Sequence, residues 1–269
     1  MNIHKKYNTV VILILVIFFS ALFFIFSCYE TRINEYKKSA YEEIIGFAKG
    51  VKADLVGKEV KVNISKYPFP IGEKLRYGIY SAGFKVGNVG ITYLGQKEIS
   101  GVSADVVILE SRAPGFSDVE IIYGDISSFT PLRVERKIYL LGENINILEE
   151  YDVKKNEVTI TRKARKTTIE KIKCKGKISN IILLLYYFRY KNNSYKIGDE
   201  IEFSLPTEQL KMLVEKETEI KVPKGQFKAI FIKSIPPRFK VWFLKDKDSI
   251  PLRIQGAIGV GNTYLALLD

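Results

Sequence analysis

Asp246 and Asp248 stand two residues apart in KVWFLKDKDSIPLRI (240–254), and a carboxylate pair at that spacing near a turn could ligate calcium. An adequate calcium site needs roughly six oxygens. No further acidic cluster lies nearby in the sequence, and Lys245 and Lys247 compete for the same carboxylates. KVWFL and IPLRI are both extended in character and KDKDS between them is turn-rich, so the stretch reads as a hairpin with the aspartates at its tip. Pairing of those two strands brings Trp242 and Arg253 together on the sheet, as packing or as the wall of a cavity.

Other residues with chemical potential are few. The single histidine, His4, precedes an apolar segment, so the body of the chain has no imidazole for a triad, a histidine-bearing zinc site or a pH switch. Beyond Cys28 there is only Cys174, which excludes an internal disulfide in the body. Cys174 has lysine neighbours but no histidine base, and it reads as a small strand residue. Glycines in YGIYSAGFKVGNVGITYLG lack the lysine-hydroxyl ending of a phosphate loop and fit a hairpin with bulges. We therefore expect no catalytic residue, no metal, no cofactor and no enzyme. A carboxylate-only or lysine-based mechanism would require close acids with a raised pKa in a cleft.

Charge gives a different kind of lead. The formal net charge is +12, and it stays strongly positive without Lys5 and Lys6. RKARKTTIEKIKCKGK (162–177) carries one acid, Glu170, among its many bases. Lys171, Lys173, Lys175 and Lys177 alternate and would share a face in a strand. Two readings stand: a ridge touching anionic head groups or an acidic envelope polymer, or a solvated strand face that discourages edge-to-edge aggregation. Nucleic acid is excluded as a partner by compartment and by the lack of interleaved aromatics.

That compartment is set by residues 1–29. Lys5 and Lys6 precede an uncharged, mostly apolar run from Thr9 to Ser27, long enough to cross about 30 Å of hydrocarbon as a helix. It reads as a signal anchor, as a lipoprotein signal cleaved before Cys28 (FIFSC) with a lipid on that cysteine, or as an ordinary cleaved signal. Each places residues 30–269 on the periplasmic side of a bacterial membrane. Residues 30–65 follow as a juxtamembrane helix and linker: Ile33, Tyr36, Tyr41, Ile44, Ile45, Ala48 and Val51 fall at helical spacing, and NISKYPFPIGE breaks the chain before the domain proper. The helix reads as a stalk or a cover for the domain, with an interfacial helix as the other option.

From about residue 66 the texture is period two. In LRVERKIYLL (132–141), Leu132, Val134, Ile138 and Leu140 share one face, with Arg136 as the exception among them. Such runs recur to the C-terminus and predict a mainly β domain over 66–269: a curved antiparallel sheet, barrel or half-barrel, packed around one buried helix. The helix is SNIILLLYYFRY (179–190), apolar on every side, with Ser179 as its N-cap and Arg189 near its C-terminal end, where cation and helix dipole agree.

PIGEKLRYGIYSAGFKVGNV (70–89), TPLRVER (130–136), LYYFR (185–189), VPKGQFKA (222–229) and VWFLKDKDSIPLRI (241–254) together resemble, in order, an exported bacterial family known as domain of unknown function 3108, over about residues 66–269. The asparagine in ISNIILL departs from the acid the family often places before this helix. The resemblance implies an envelope protein with a curved sheet around a helix, an architecture shared with lipoprotein carriers, and it supplies no catalytic residues. The expected function is a membrane-anchored, periplasm-facing protein that binds a lipid or other amphiphile in the concavity, near Tyr77, Tyr186, Phe188, Arg189, Trp242 and Arg253. The alternative is an envelope scaffold whose basic face holds an unidentified protein partner.

Overall fold

The chain separates into two units, Met1–Lys61 and Val62–Asp269. The structure, a computed structural model, describes residues 67–99, 101–191, 194–256 and 263–269, so the expectations for segments 1–29 and 30–65, and for Cys28, lie outside the described residues. Among the described residues no helix is long and apolar enough to cross a membrane.

Among the described residues fourteen strands run in chain order as β1 (Lys74–Ser81), β2 (Phe84–Ile99), β3 (Val102–Ala113), β4 (Phe116–Asp125), β5 (Thr130–Leu140), β6 (Glu143–Asp152), β7 (Glu157–Lys163), β8 (Thr167–Lys173), β9 (Glu200–Leu205), β10 (Glu208–Val222), β11 (Gly225–Ile235), β12 (Lys240–Leu244), β13 (Pro251–Gln255) and β14 (Tyr264–Leu267). The helix among the described residues, α1 (Ile181–Lys191), stands between β8 and β9. All fourteen strands form one sheet in the order β8-β7-β6-β5-β4-β3-β2-β1-β14-β13-β12-β11-β10-β9. Two antiparallel meanders are thus joined where β1 pairs with β14, Tyr77 opposite Leu267. The sheet curves around α1 without closing, with β8 and β9 as its edges. The chain leaving β8 spans that seam: Ile178 makes a single parallel bridge to Ser204 of β9, and the Ser179 amide donates to the Ser204 carbonyl at 2.9 Å.

Alternation explains the concave face. Leu75, Tyr77 and Ile79 of β1, Val89, Ile91 and Tyr93 of β2, and Ile254, Leu265 and Leu267 at the other side of the join all enter one core, while Lys74 and Arg76 face away. The β1–β2 hairpin turns at Ala82 and Gly83, both at positive φ (49° and 85°), and the β5–β6 hairpin does the same at Leu141 and Gly142 (48° and 93°), the two-residue geometry that matches strand twist.

α1 fills one part of the concavity. Leu183 and Leu184 are fully buried, and Ile182, Leu185, Tyr186 and Phe188 nearly so, each such side chain stabilising the fold by about 1.5–3 kcal/mol. The cap differs from the sequence expectation. Asn180, not Ser179, receives the first free amides: its Oδ1 accepts from Ile182 N at 2.8 Å and Leu183 N at 3.2 Å, while Ser179 Oγ donates to the Lys177 carbonyl. Arg189 stands in the last turn of α1 as expected, and it is 1% exposed and ion-paired within the core. The Pro-rich stretch that opens the domain, 67–73, has no strand or helix, yet it contributes to the core. Tyr67 and Phe69 are buried core residues, because their rings stack on each other at 5.2 Å and Phe69 packs edge-on against Tyr93 and Tyr186.

Candidate functional site

Four of the residues expected around a cavity are brought together by α1 and β1. Tyr77, Tyr186, Phe188 and Arg189 are all buried within one aromatic core. Arg189 is its centre: Nη2 meets Glu73 Oε1 at 2.8 Å, Nη1 meets Glu73 Oε2, and Nε reaches the Asp248 carbonyl at 3.3 Å. Its guanidinium also lies 4.8 Å from the Phe69 ring and 5.3 Å from that of Tyr186. Burial works to lower the Arg189 pKa, but Glu73 more than offsets it and the group is held firmly charged. Tyr77 donates to the Pro251 carbonyl at 2.9 Å, and burial pushes its hydroxyl pKa up. The node ties α1 to the entry of β1 and to the β12–β13 turn. That turn settles the place of the aspartates: Asp246 Oδ1 accepts from the amides of Asp248 and Ser249, so its carboxylate shapes the hairpin tip.

Trp242 and Arg253 face the other way. They are direct partners on β12 and β13, but the flanking residues Val241 and Ile254 take the helix side. On the convex face Arg253 lies between Tyr264 (3.7 Å to the ring centre) and Trp242 (5.4 Å); Phe231 stacks on Trp242 at 4.7 Å and Tyr80 on Tyr264 at 5.3 Å. The four lysines divide as well. Lys171 and Lys173 share a face of the edge strand β8, whereas Lys175 and Lys177 lie beyond its end, with Lys177 Nζ 4.8 Å from the Phe129 ring. Cys174, just past β8, is buried and its thiol pKa is raised by that burial.

The concentration of titratable groups on the concave face lies elsewhere, on β4, β5 and β6. Register places Glu120 opposite Arg136, Asp118 opposite Ile138, and Glu149 opposite Val134. All these project on the side of Ile122 and Val134, which pack in the helix-containing core. Arg136 Nε lies 2.9 Å from both Asp118 oxygens, its Nη2 also contacts Asp118, and Glu120 Oε2 stands 3.9 Å from Nε. Tyr151 donates to Glu149. Asp118 is almost fully buried, with 5% of its side chain exposed, while Arg136 keeps 36% and Glu120 16%. The cluster is therefore reachable from solvent on its Arg136 side. Burial raises the Glu120 carboxyl to about 7, Arg136 pulls it back, and Asp118 and Glu149 push it further up. Around the charges stand half-buried Leu109, Ile138, Ile147 and Ile160.

Asp118, Glu120, Glu149 and Tyr151 were missed from sequence. The available signal was Arg136, the charge on the apolar face of its strand; its partners become visible once β4 and β6 are set in register beside it. Among the described residues no three His, Cys, Asp or Glu gather where they could hold a metal ion.

Residues 76–268 match the family described as "Protein of unknown function (DUF3108)". No curated protein matches the chain. Two solved structures are similar. One is a beta-barrel-like protein of domain of unknown function DUF1849 from Brucella abortus, 10% identical, covering 72% of this chain and 93% of that one with a TM-score of 0.43. The other is described as a "putative lipoprotein" from Parabacteroides distasonis, 10% identical, covering 77% of this chain and 99% of that one with a TM-score of 0.27.

Proposed function

The chain belongs to the DUF3108 family, and from its own geometry we propose that it binds an amphiphile on the concave face of its sheet, in the bacterial envelope. One observation carries the reading: the part of that face not filled by α1 is a half-open apolar surface with a charged centre. Isolated charges on the inner face of a sheet are expensive, and a purely structural core would be better served by apolar residues. Here Asp118 is held bidentately by Arg136 and Glu149 is engaged by Tyr151, which leaves Glu120 as the acid with the loosest partner, 3.9 Å away. With its pKa near 7, Glu120 offers either a hydrogen-bond donor or an acceptor to a polar head. Leu109, Ile138, Ile147 and Ile160 offer apolar wall to a chain or ring attached to that head.

The same cluster is what a carboxylate-based enzyme would need, because close acids and a raised pKa coincide. Binding is the better reading. Glu120 alone is free to move a proton, and a two-carboxylate mechanism would need a second acid, whereas Asp118 and Glu149 are both occupied by tight partners. The envelope location rests on residues 1–29, with their basic start and long apolar run.

Native mass spectrometry of the full chain, gently extracted from its membrane, tests the proposal. The wild type should retain a lipid-sized adduct, and Ile147→Trp, which fills the apolar wall, should lose it while keeping the far-ultraviolet spectrum of a β protein. A wild type released with no adduct under conditions that preserve lipid on a control membrane protein would defeat it.

A further inference from the structure

We propose that one end of the sheet, the end carrying the β1–β2, β3–β4 and β5–β6 turns, is a docking rim that seats on an anionic bilayer. The proposal rests on a surface separate from the concave cluster and stands or falls apart from the ligand reading. β1, β3 and β5 all finish at this end and β2, β4 and β6 all start there, so the three turns are consecutive in the meander. Each turn lies about 10 Å from the next, two strand spacings. These tips carry large apolar side chains into water: Phe84 and Leu141 are each 74% exposed, Leu140 45% and Val86 39%. Ala82, Gly83, Gly115, Leu141 and Gly142 of these turns are at positive φ, and the Leu141 amide donates a hydrogen bond to the Gly115 carbonyl at 2.9 Å.

Charge points the same way. Lys85 stands beside Phe84, and the next turn of the meander, β7–β8, adds Lys163 and Lys166. These three lysines are exposed and form no ion pair among the described residues. Across the four turns the clear acid is Glu143, which is occupied by Arg165. The opposite end of the same strands is mixed in sign, with Asp125, Asp152 and Glu157 set against Lys154 and Lys155. Lys173, Lys175 and Lys177 belong toward that opposite end, as the Lys177 contact with Phe129 shows, so the rim is not the lysine ridge noticed in the sequence.

A row of separate apolar tips interleaved with unpaired cations fits a head-group layer, where side chains enter singly and lysines meet lipid phosphates. A protein partner would be better matched by one contiguous apolar patch. The rim also adjoins the half-open concave surface: Glu120 is four residues, roughly 13 Å, from Phe116 at the start of β4.

The test uses the full chain reconstituted in vesicles of phosphatidylcholine with phosphatidylglycerol, carrying acyl-brominated lipid as a quencher. In a Trp242→Phe background, Phe84→Trp reports on the rim and Val102→Trp, 52% exposed in the native chain, on the opposite end. The chain enters the sheet at the end that carries Val102, where Tyr67 donates to Asp105, so tethering alone would favour quenching at position 102 over position 84. Quenching at position 84 should exceed that at 102 by at least about twofold and fall in pure phosphatidylcholine, and each lysine of the three replaced by alanine should weaken apposition by about fivefold. Equal quenching at the two positions, or quenching at 84 that survives loss of all three lysines, overturns the proposal. So does protection of position 84 by a protein cross-linked to it in native membranes.

Discussion

Replacing Glu73 by glutamine should expose how much of the fold hangs on the Arg189 node. The substitution preserves shape and leaves a guanidinium that is 2% exposed without its anion. Removing one partner of a buried pair typically destabilises by about 3–5 kcal/mol, because the remaining charge keeps its desolvation penalty and loses its attraction. Glutamine can still accept one hydrogen bond, which favours the lower end. For a unit of this size each kcal/mol moves the melting temperature by about 2–4 °C, so a drop of about 10 °C is expected. Arg189→Met should be milder, since Glu73 keeps 16% exposure and can reach solvent. The double variant should be more stable than the sum of the singles by at least about 1.5 kcal/mol, because methionine among Phe69, Tyr77 and Tyr186 satisfies the site without charge. Near-ultraviolet circular dichroism of the full chain in mild detergent reads the transition through those aromatic rings. A shift below about 2 °C for Glu73→Gln, or strictly additive effects, would show that the pair is not the strut described here.

Glu120 makes stability depend on pH with a definite sign. Its folded pKa, about 7, lies above the ordinary value of 4.5, so the folded state holds the proton more tightly and stability falls as pH rises between those values. Glu120→Gln should therefore be nearly neutral at pH 5 and stabilising by about 1–3 kcal/mol at pH 8, as urea titrations at the two pH values would show. Asn180→Ala removes the acceptor for two amides of α1 and should destabilise by about 1 kcal/mol, whereas Ser179→Ala should do less; equal effects would reinstate Ser179 as the cap. Gly124→Ala should destabilise by about 1–3 kcal/mol, since its methyl would meet Leu183 Cδ1 at 2.4 Å and the Thr130 carbonyl at 2.5 Å; a wild-type melting temperature would mean that α1 does not press on β4.

The sheet was legible because alternation is local: each strand announces its faces within a few residues, as Leu75, Tyr77 and Ile79 do. The helix was legible for the opposite reason, since IILLLYYF is apolar at every angle and had to be enclosed. What escaped was long-range. Arg189 finds Glu73 across 116 residues of sequence, and nothing near either residue announces the other. Tyr67 and Phe69 carried no core signal in the sequence because the prolines after each break any period, yet their rings are drawn into the aromatic core beneath β2. Trp242 and Arg253 were rightly paired as neighbours, but which face they take depends on the register of β12 against β13 and on the side that α1 occupies. The acid cluster needed both register and curvature: Glu120, between Val119 and Ile121, declares its side only when Arg136 is set opposite.

The central claim is that the concave surface between α1 and the β3–β4 and β5–β6 turns holds the apolar part of a ligand. Photo-cross-linking with a diazirine-bearing acyl lipid in native membranes, followed by peptide mapping, tests it directly. Labels should concentrate at Leu109, Ile138, Ile147 and Ile160 and be competed by unlabelled lipid. Labels confined to the exposed turns or to the convex face around Trp242, or none within β3 to β7, would contradict it.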